Sequence, residues 1–378
     1  MTRSISAGLA FGLVAALAGV ASGQAALSTQ GFGFPTGQLS SRAWGTGGSI
    51  AEVDPLSPVN PATISMIGTR LISFQIEPEY RSVTSSGGID RTTTARYPVV
   101  FGAIPIKSWV LGIGASTLLD RTSTTVFPST EPINNSERVE TTNRERVDGA
   151  MDDVRLAGAW IPANWLRVGL GLHGIVGHNL VATTQSFTDS SQFATFTEER
   201  LFGFSGFAAS AGVELISKLF MAGVSYRQGG NVQMSSNDTV ITKSRVPNHF
   251  GASLAYTGIT NSSIAVRVAH DNWSALGPLG GPGFNAVNGW DSSIGADMAG
   301  PRMLGRTVFL RGGFRYRTLP FQADSNTVTE KSFTAGFGTT FANQRALADV
   351  ALIHAIRTAD VPATERAWTI SIGLSIRP

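Results

Sequence analysis

Three groups of residues in this 378-residue sequence have the types and spacing for chemistry. Gly169-Leu170-Gly171-Leu172-His173-Gly174 fits G-x-G-x-x-G and follows the strand-like run Trp165 to Val168. A dinucleotide site needs a helix opening at the third glycine, so that its N-terminus meets the pyrophosphate. Ile175 to Ser186 is too rich in Thr and β-branched residues to be that helix. His173 and His178 have the side chains of metal ligands, but five residues along a strand place them on opposite faces. No G-x-S-x-G occurs, and no Ser, His and Asp lie close enough in sequence to propose a triad. With no Cys, thiol nucleophiles, Cys-bound zinc and disulfides are excluded. The sequence therefore predicts no catalytic residue, no metal, no cofactor and no enzyme.

The third group is Arg311, Arg315 and Arg317. If Val308, Leu310, Phe314 and Tyr316 face one side of a strand, the three cations share the other. Buried cations need partners. Glu52 and Asp54 are the candidates, with Asp349 a further one; the alternative is attraction of anionic head groups.

The elements that position these residues follow from composition and period. Charged residues make up 15% of the chain, against about 25% in soluble domains. After the N-terminus no apolar run reaches the roughly 18 to 20 residues of a spanning helix, so a helical membrane protein is excluded. Alternation at period two is widespread instead. At the C-terminus Trp368, Ile370, Ile372, Leu374 and Ile376 alternate with Thr369, Ser371, Gly373, Ser375 and Arg377. Fourteen such segments start near residues 69, 94, 108, 148, 165, 197, 218, 246, 262, 291, 307, 332, 345 and 365.

Connections alternate between tight and long. Pro105 to Lys107, Pro162 to Asn164, Ile216 to Lys218, Gly258 to Asn261 and Ala342 to Gln344 are tight. Ser85 to Asp90, Ser129 to Arg146, Gly229 to Lys243 and Gln322 to Glu330 are among the long polar stretches. An up-and-down transmembrane barrel has this pattern, with short turns on the periplasmic side and long loops outside. A soluble sandwich would carry Lys, Glu and Arg on its outward positions. Here the non-apolar face is Gly, Ser, Thr and Ala, suited to a crowded lumen. The expected fold is all-β, a 14-stranded antiparallel barrel over residues 67–378 with an N-terminal plug over 26–66.

Residues 1–25 read as a secretory signal peptide: Arg3, an apolar stretch from Ala7 to Val20, and small residues before a cleavage near Ala25. Phe32, Phe34, Trp44, Ile50, Val53 and Leu56 then supply apolar surface that a free tail would not carry, so the next segment is expected inside the lumen. The formal charge of +3 is too small and dispersed for nucleic-acid binding.

The segment Ser41-Arg42-Ala43-Trp44-Gly45-Thr46-Gly47-Gly48-Ser49-Ile50-Ala51, then Asp54 and Asn60-Pro61-Ala62, resembles the N-terminal region of the FadL-type long-chain fatty-acid transporter family of outer-membrane proteins. Val246 to Gly251, Asp271 to Ser274, and Leu310 to Phe314 with Pro320 are similar to later motifs of that family. The resemblance covers most of the chain. It implies a 14-stranded barrel closed by an N-terminal hatch, with Gly47, Gly48, Asn60, Pro61 and Ala62 at the hatch turn. Independently, Asn60 can satisfy nearby backbone donors while Pro61 fixes φ, which makes a rigid corner.

Two functions fit. One is passive uptake of small hydrophobic solutes through a plugged barrel in the outer membrane of a Gram-negative-type bacterium. Its partners are the lipid bilayer, a small hydrophobic or amphipathic ligand and the barrel-assembly machinery. The other is a PorV-like interaction or secretion component that binds partner proteins through its loops.

Overall fold

The computed structural model describes residues 27–85, 88–132, 138–188, 193–281, 284–303 and 306–378. The expected signal peptide lies outside them. Fourteen antiparallel strands form the wall. They are β1 (Leu71–Ser85), β2 (Gly88–Ile106), β3 (Trp109–Asp120), β4 (Arg138–Ala163), β5 (Leu166–Phe187), β6 (Phe196–Ile216) and β7 (Phe220–Ser236). Then follow β8 (His249–Ile259), β9 (Ser262–Asp271), β10 (Gly289–Met303), β11 (Arg306–Ala323), β12 (Asn326–Phe341), β13 (Ala346–Thr358) and β14 (Thr364–Ile376). β14 pairs with β1 from Thr364↔Thr84 to Ile376↔Ile72, so the sheet closes on itself. Closure removes the free edges that lipid would leave unpaired.

The period-two pattern sorts the faces as expected. Trp368, Ile372, Leu374 and Ile376 of β14 point outward, while Ala367, Thr369, Ser371 and Ser375 are buried inside. Leu170 and Leu172 of β5 are each 66% exposed on the outer face, as a lipid-facing surface requires. The G-x-G-x-x-G run is therefore wall strand.

The tight connections keep their places, but the long stretches are mostly strand. Most of Ser129 to Arg146 belongs to the strand Ser123–Pro132 and to β4, which pair from Ser123↔Val147 to Pro132↔Arg138. Gly229 to Lys243 is likewise a hairpin of β7 with the strand Thr239–Arg245. In these extensions the outward positions turn polar, with Arg138, Glu140 and Arg144 of β4 and Asn231 of β7 exposed, while Thr141, Val232 and Met234 stay buried inside. The apolar alternation that marks a strand then disappears while the ladder continues.

Candidate functional site

The chain before β1 threads the lumen from end to end. Ser28 donates its backbone N–H and its hydroxyl to Glu365 at 3.0 and 2.5 Å, near the long-strand end of the barrel. Helix α1 (Ser41–Gly45) is capped by Ser40, whose side chain accepts from the Ala43 N–H at 3.0 Å. Gly47 and Gly48 follow with φ of 68° and 88°, and Gly48 N–H returns to Ala43 O at 2.7 Å. Left-handed backbone at two consecutive positions is the reason for the Gly-Gly. Asn60 then caps the 3₁₀ turn Pro61–Met66: its Oδ1 accepts from Ala62 N–H at 3.0 Å and its Nδ2 donates to Glu52 O at 2.7 Å. Pro61 occupies the first turn, where its missing N–H costs nothing.

The wall is shaped to receive this segment. A Cβ at Gly212 would strike Asn60 Oδ1, one at Gly223 the Glu52 carbonyl, and one at Gly313 the Thr46 carbonyl. Inward glycines thus mark where the plug backbone touches the barrel. That is why strands here carry a residue they usually avoid.

The arginines lie inside, and of the expected partners Asp349 meets one of them while Glu52 and Asp54 do not. Arg311 pairs with Asp297 at 3.2 Å and with Asp349 at 2.6 Å. Arg315 meets Asp291 at 2.6 Å and lies 4.9 Å from the Trp44 ring, and Arg317 meets Glu330 at 2.7 Å. Neither Glu52 nor Asp54 pairs with any of the three. Glu52 binds Arg267 at 2.7 Å, and Asp54 accepts from Ser40 and Ser57 with Arg42 at 3.8 Å. The strands supply carboxylates directly across from the arginines, as in the cross-strand pairs Asp291↔Arg317 and Arg317↔Glu330, and these are nearer than the plug.

Near the long-strand end, the plug carries Phe34 into a ring of arginines. Arg96, Arg317 and Arg357 lie 4.8, 4.9 and 4.6 Å from its centroid, and Arg81 lies at 6.0 Å. Glu79, Asp120, Glu330 and Glu365 occupy their N–H edges. Four cations therefore face four carboxylates, and the guanidinium faces remain for the ring.

At this level the wall is interrupted. Among the described residues, β2 and β3 pair only from Val99↔Ser116 to Ile106↔Trp109. Beyond Val99, β2 continues to pair with β1, whereas β3 turns inward and bonds the plug: Phe34↔Asp120 and Pro35↔Leu119. Pro98, which has no N–H to donate, stands at the point where the ladder stops. The strand Ser123–Pro132 continues the far rim with Pro128 and Pro132, again residues of a free edge. Arg96 of β2 reaches across to Asp120 of β3 at 2.6 Å, an ion pair spanning the breach.

On the lumen side lies an apolar cluster that includes Phe32, Leu119, Met151, Phe204, Trp273 and Phe321. Phe32 stacks near Trp273 at 6.1 Å and meets Phe284 edge-on at 5.5 Å. Below it a tight cavity of about 50 Å³ reaches Gln38, Val59, His173, Ser210 and Arg227.

Sequence spacing missed one grouping. Asp153, His173 and Ser210 sit on β4, β5 and β6 and meet inside the lumen, with His173 Nε2 2.8 Å from Ser210 Oγ. They are separated by 20 and 37 residues, so only strand pairing brings them together. His173 and His178 do face opposite sides, and no group of ligands that holds a metal occurs among the described residues.

No family model matches the chain, and no curated protein matches it in sequence. In structure it is similar to a Pseudomonas aeruginosa FadL homologue at 12% identity and a TM-score of 0.62, over 91% of this chain and 99% of that one. It is similar to the monoaromatic hydrocarbon channel CymD at 12% identity and a TM-score of 0.58, over 90% of this chain and 97% of that one. The Pseudomonas putida toluene transporter TodX matches at 12% identity and 0.55, over 92% and 99%. The chain shares their fold.

Proposed function

We propose that this protein is an outer-membrane channel for the passive uptake of small hydrophobic solutes. The observation that carries the reading is the break between β2 and β3, which opens the wall beside the apolar cluster at the level of the plug. A solute entering the long-strand end meets Phe32, Trp273 and Phe321, then the breach, whose outer rim includes Tyr97 at 69% exposure. Leaving sideways keeps an apolar molecule out of the polar lower lumen. Apolar surface enters water only at a cost of about 25 cal/mol per Å², so such a route favours solutes that partition into lipid. The structural neighbours include proteins described as a toluene transporter and a monoaromatic hydrocarbon channel, which supports this class of solute.

The plug segment 26–66 acts as the gate in this reading, with its corner at Asn60, Pro61 and Ala62 as the fixed end and Gly47 and Gly48 as the flexible point. Residues 1–25 serve export, and the barrel-assembly machinery inserts residues 67–378. Labelled toluene tests the function. Gram-negative cells expressing the chain should take it up several-fold faster than cells with empty vector, at a rate linear in concentration. Uptake equal to the control would overturn the reading.

A further inference from the structure

The inner faces of three neighbouring strands hold a set of groups that the channel reading leaves unused. His173 Nδ1 lies 2.8 and 3.0 Å from the two oxygens of Asp153, and His173 Nε2 lies 2.8 Å from Ser210 Oγ. The carboxylate holds the imidazole with its proton on Nδ1, which leaves Nε2 to accept the hydroxyl proton. Gly171 stands across the ladder from Ser210. A Cβ at that position would lie 2.5 Å from Ser210 Oγ and 3.2 Å from His173 Nε2, so the relay exists only because residue 171 is glycine.

On its other side Ser210 is paired with Arg227 of β7. Arg227 Nη1 donates to Gln38 Oε1 at 2.9 Å and lies 3.6 Å from Asp153 Oδ2, while its Nε is buried without an acceptor among the described residues. An unpaired cationic N–H on the residue across the ladder from the nucleophile suits a developing oxyanion. His173, Ser210 and Arg227 line the same cavity, together with the plug residues Gln38, Pro58 and Val59.

We propose that Ser210, His173 and Asp153 form a hydrolytic site facing the lumen, acting on small uncharged carboxylic esters that enter the channel. Ser210 Oγ attacks the ester carbonyl carbon as its proton passes to His173 Nε2. The carbonyl C–O bond to the alcohol breaks, and the alcohol leaves with that proton. Water, giving its proton to His173 Nε2, then attacks the acyl carbon; the bond to Ser210 Oγ breaks as that proton passes from His173 to Ser210, and the carboxylic acid leaves. Arg227 faces the oxyanion in both steps, and Asp153 is the positioning residue. The open space of about 50 Å³ fits an acyl group near the size of acetyl.

The test uses the full barrel in detergent, with its folded state verified by the mobility shift between heated and unheated gel samples. Methanesulfonyl fluoride, whose sulfonyl group is near the size of acetyl, should label the peptide carrying Ser210, read by mass spectrometry, and p-nitrophenyl acetate should be hydrolysed. Ser210→Ala should abolish both, and His173→Gln should slow both by at least about 100-fold, the range of general-base catalysis. Asp153→Asn should lower the rate and change its pH profile, which a purely structural carboxylate would not do. Ser210→Cys is nearly isosteric and guards against misfolding: its thiol should react with iodoacetamide at least tenfold faster than in Ser210→Cys/His173→Gln. An unlabelled Ser210 in a folded barrel overturns the proposal, as does equal labelling with and without His173.

Discussion

Glu52 is the carboxylate through which the middle of the plug holds the wall. It is fully buried and accepts from Arg267 Nε at 2.7 Å, Arg267 Nη2 at 3.1 Å and Ser253 at 2.9 Å. Arg267 also binds Asp291 at 2.7 Å, and Asp291 is shared with Arg315. In this cluster two carboxylates balance two guanidiniums. Glu52→Gln leaves two cations on one carboxylate at the same volume. Breaking a buried pair by removing one partner costs 3 to 5 kcal/mol, and because Arg267 keeps Asp291 the low end applies, about 3 kcal/mol. At about 1.36 kcal/mol per tenfold, the displaced plug gains up to about 160-fold in population. Single-channel recording in a planar bilayer should show frequent openings in Glu52→Gln that are rare in the parent. Adding Arg267→Gln removes the stranded charge as well, and the double variant should open less often than Glu52→Gln alone. Parental conductance and parental thermal stability in Glu52→Gln would show that the plug is held by packing alone, and the electrostatic account would fall.

Other consequences can be measured separately. Arg96→Ala removes the ion pair across the breach and should raise the initial rate of toluene uptake, whereas an unchanged rate would mean that the pair does not restrict the opening. Gly212→Ala puts a methyl against Asn60 and should cost about 1 to 3 kcal/mol as overpacking, read as a lower melting temperature. Gly68→Ala meets nothing within 4 Å and serves as its control. An epitope inserted between Asn237 and Asp238 should bind antibody on intact cells, while one between Lys107 and Ser108 should bind only after the outer membrane is permeabilised; the reverse would invert the orientation.

What the sequence revealed follows from the range of each signal. The wall strands were legible because lipid outside and a crowded lumen inside impose alternation residue by residue, as in Trp368 to Ile376. The extensions of β4 and β7 were not, because their outward positions are polar, as at Arg138, Glu140 and Asn231, and the lipid-facing apolar residues that mark the pattern are gone. Asn60-Pro61 announced its corner locally, through an Asx cap and a fixed φ. The partner of Glu52 was illegible: Arg267 lies 215 residues away and is selected by strand tilt and plug path, neither of which leaves a local trace. The same holds for Asp153, His173 and Ser210. Arg311 with Asp349 was legible as a candidate pair, since both fall on inward positions with one strand between them, and they meet at 2.6 Å.

The two hydrogen bonds between Ser28 and Glu365 join residues 337 positions apart, and Glu365 belongs to the strand that completes the barrel. The wall side of that contact does not exist until β14 reaches β1. This contact of the plug is therefore among the last that assembly can make, after more than three hundred residues have been laid down. Seating of the plug's leading end then depends on the last strand pair, and the loop-closure entropy of nearly the whole chain is set against a cluster of arginines and carboxylates.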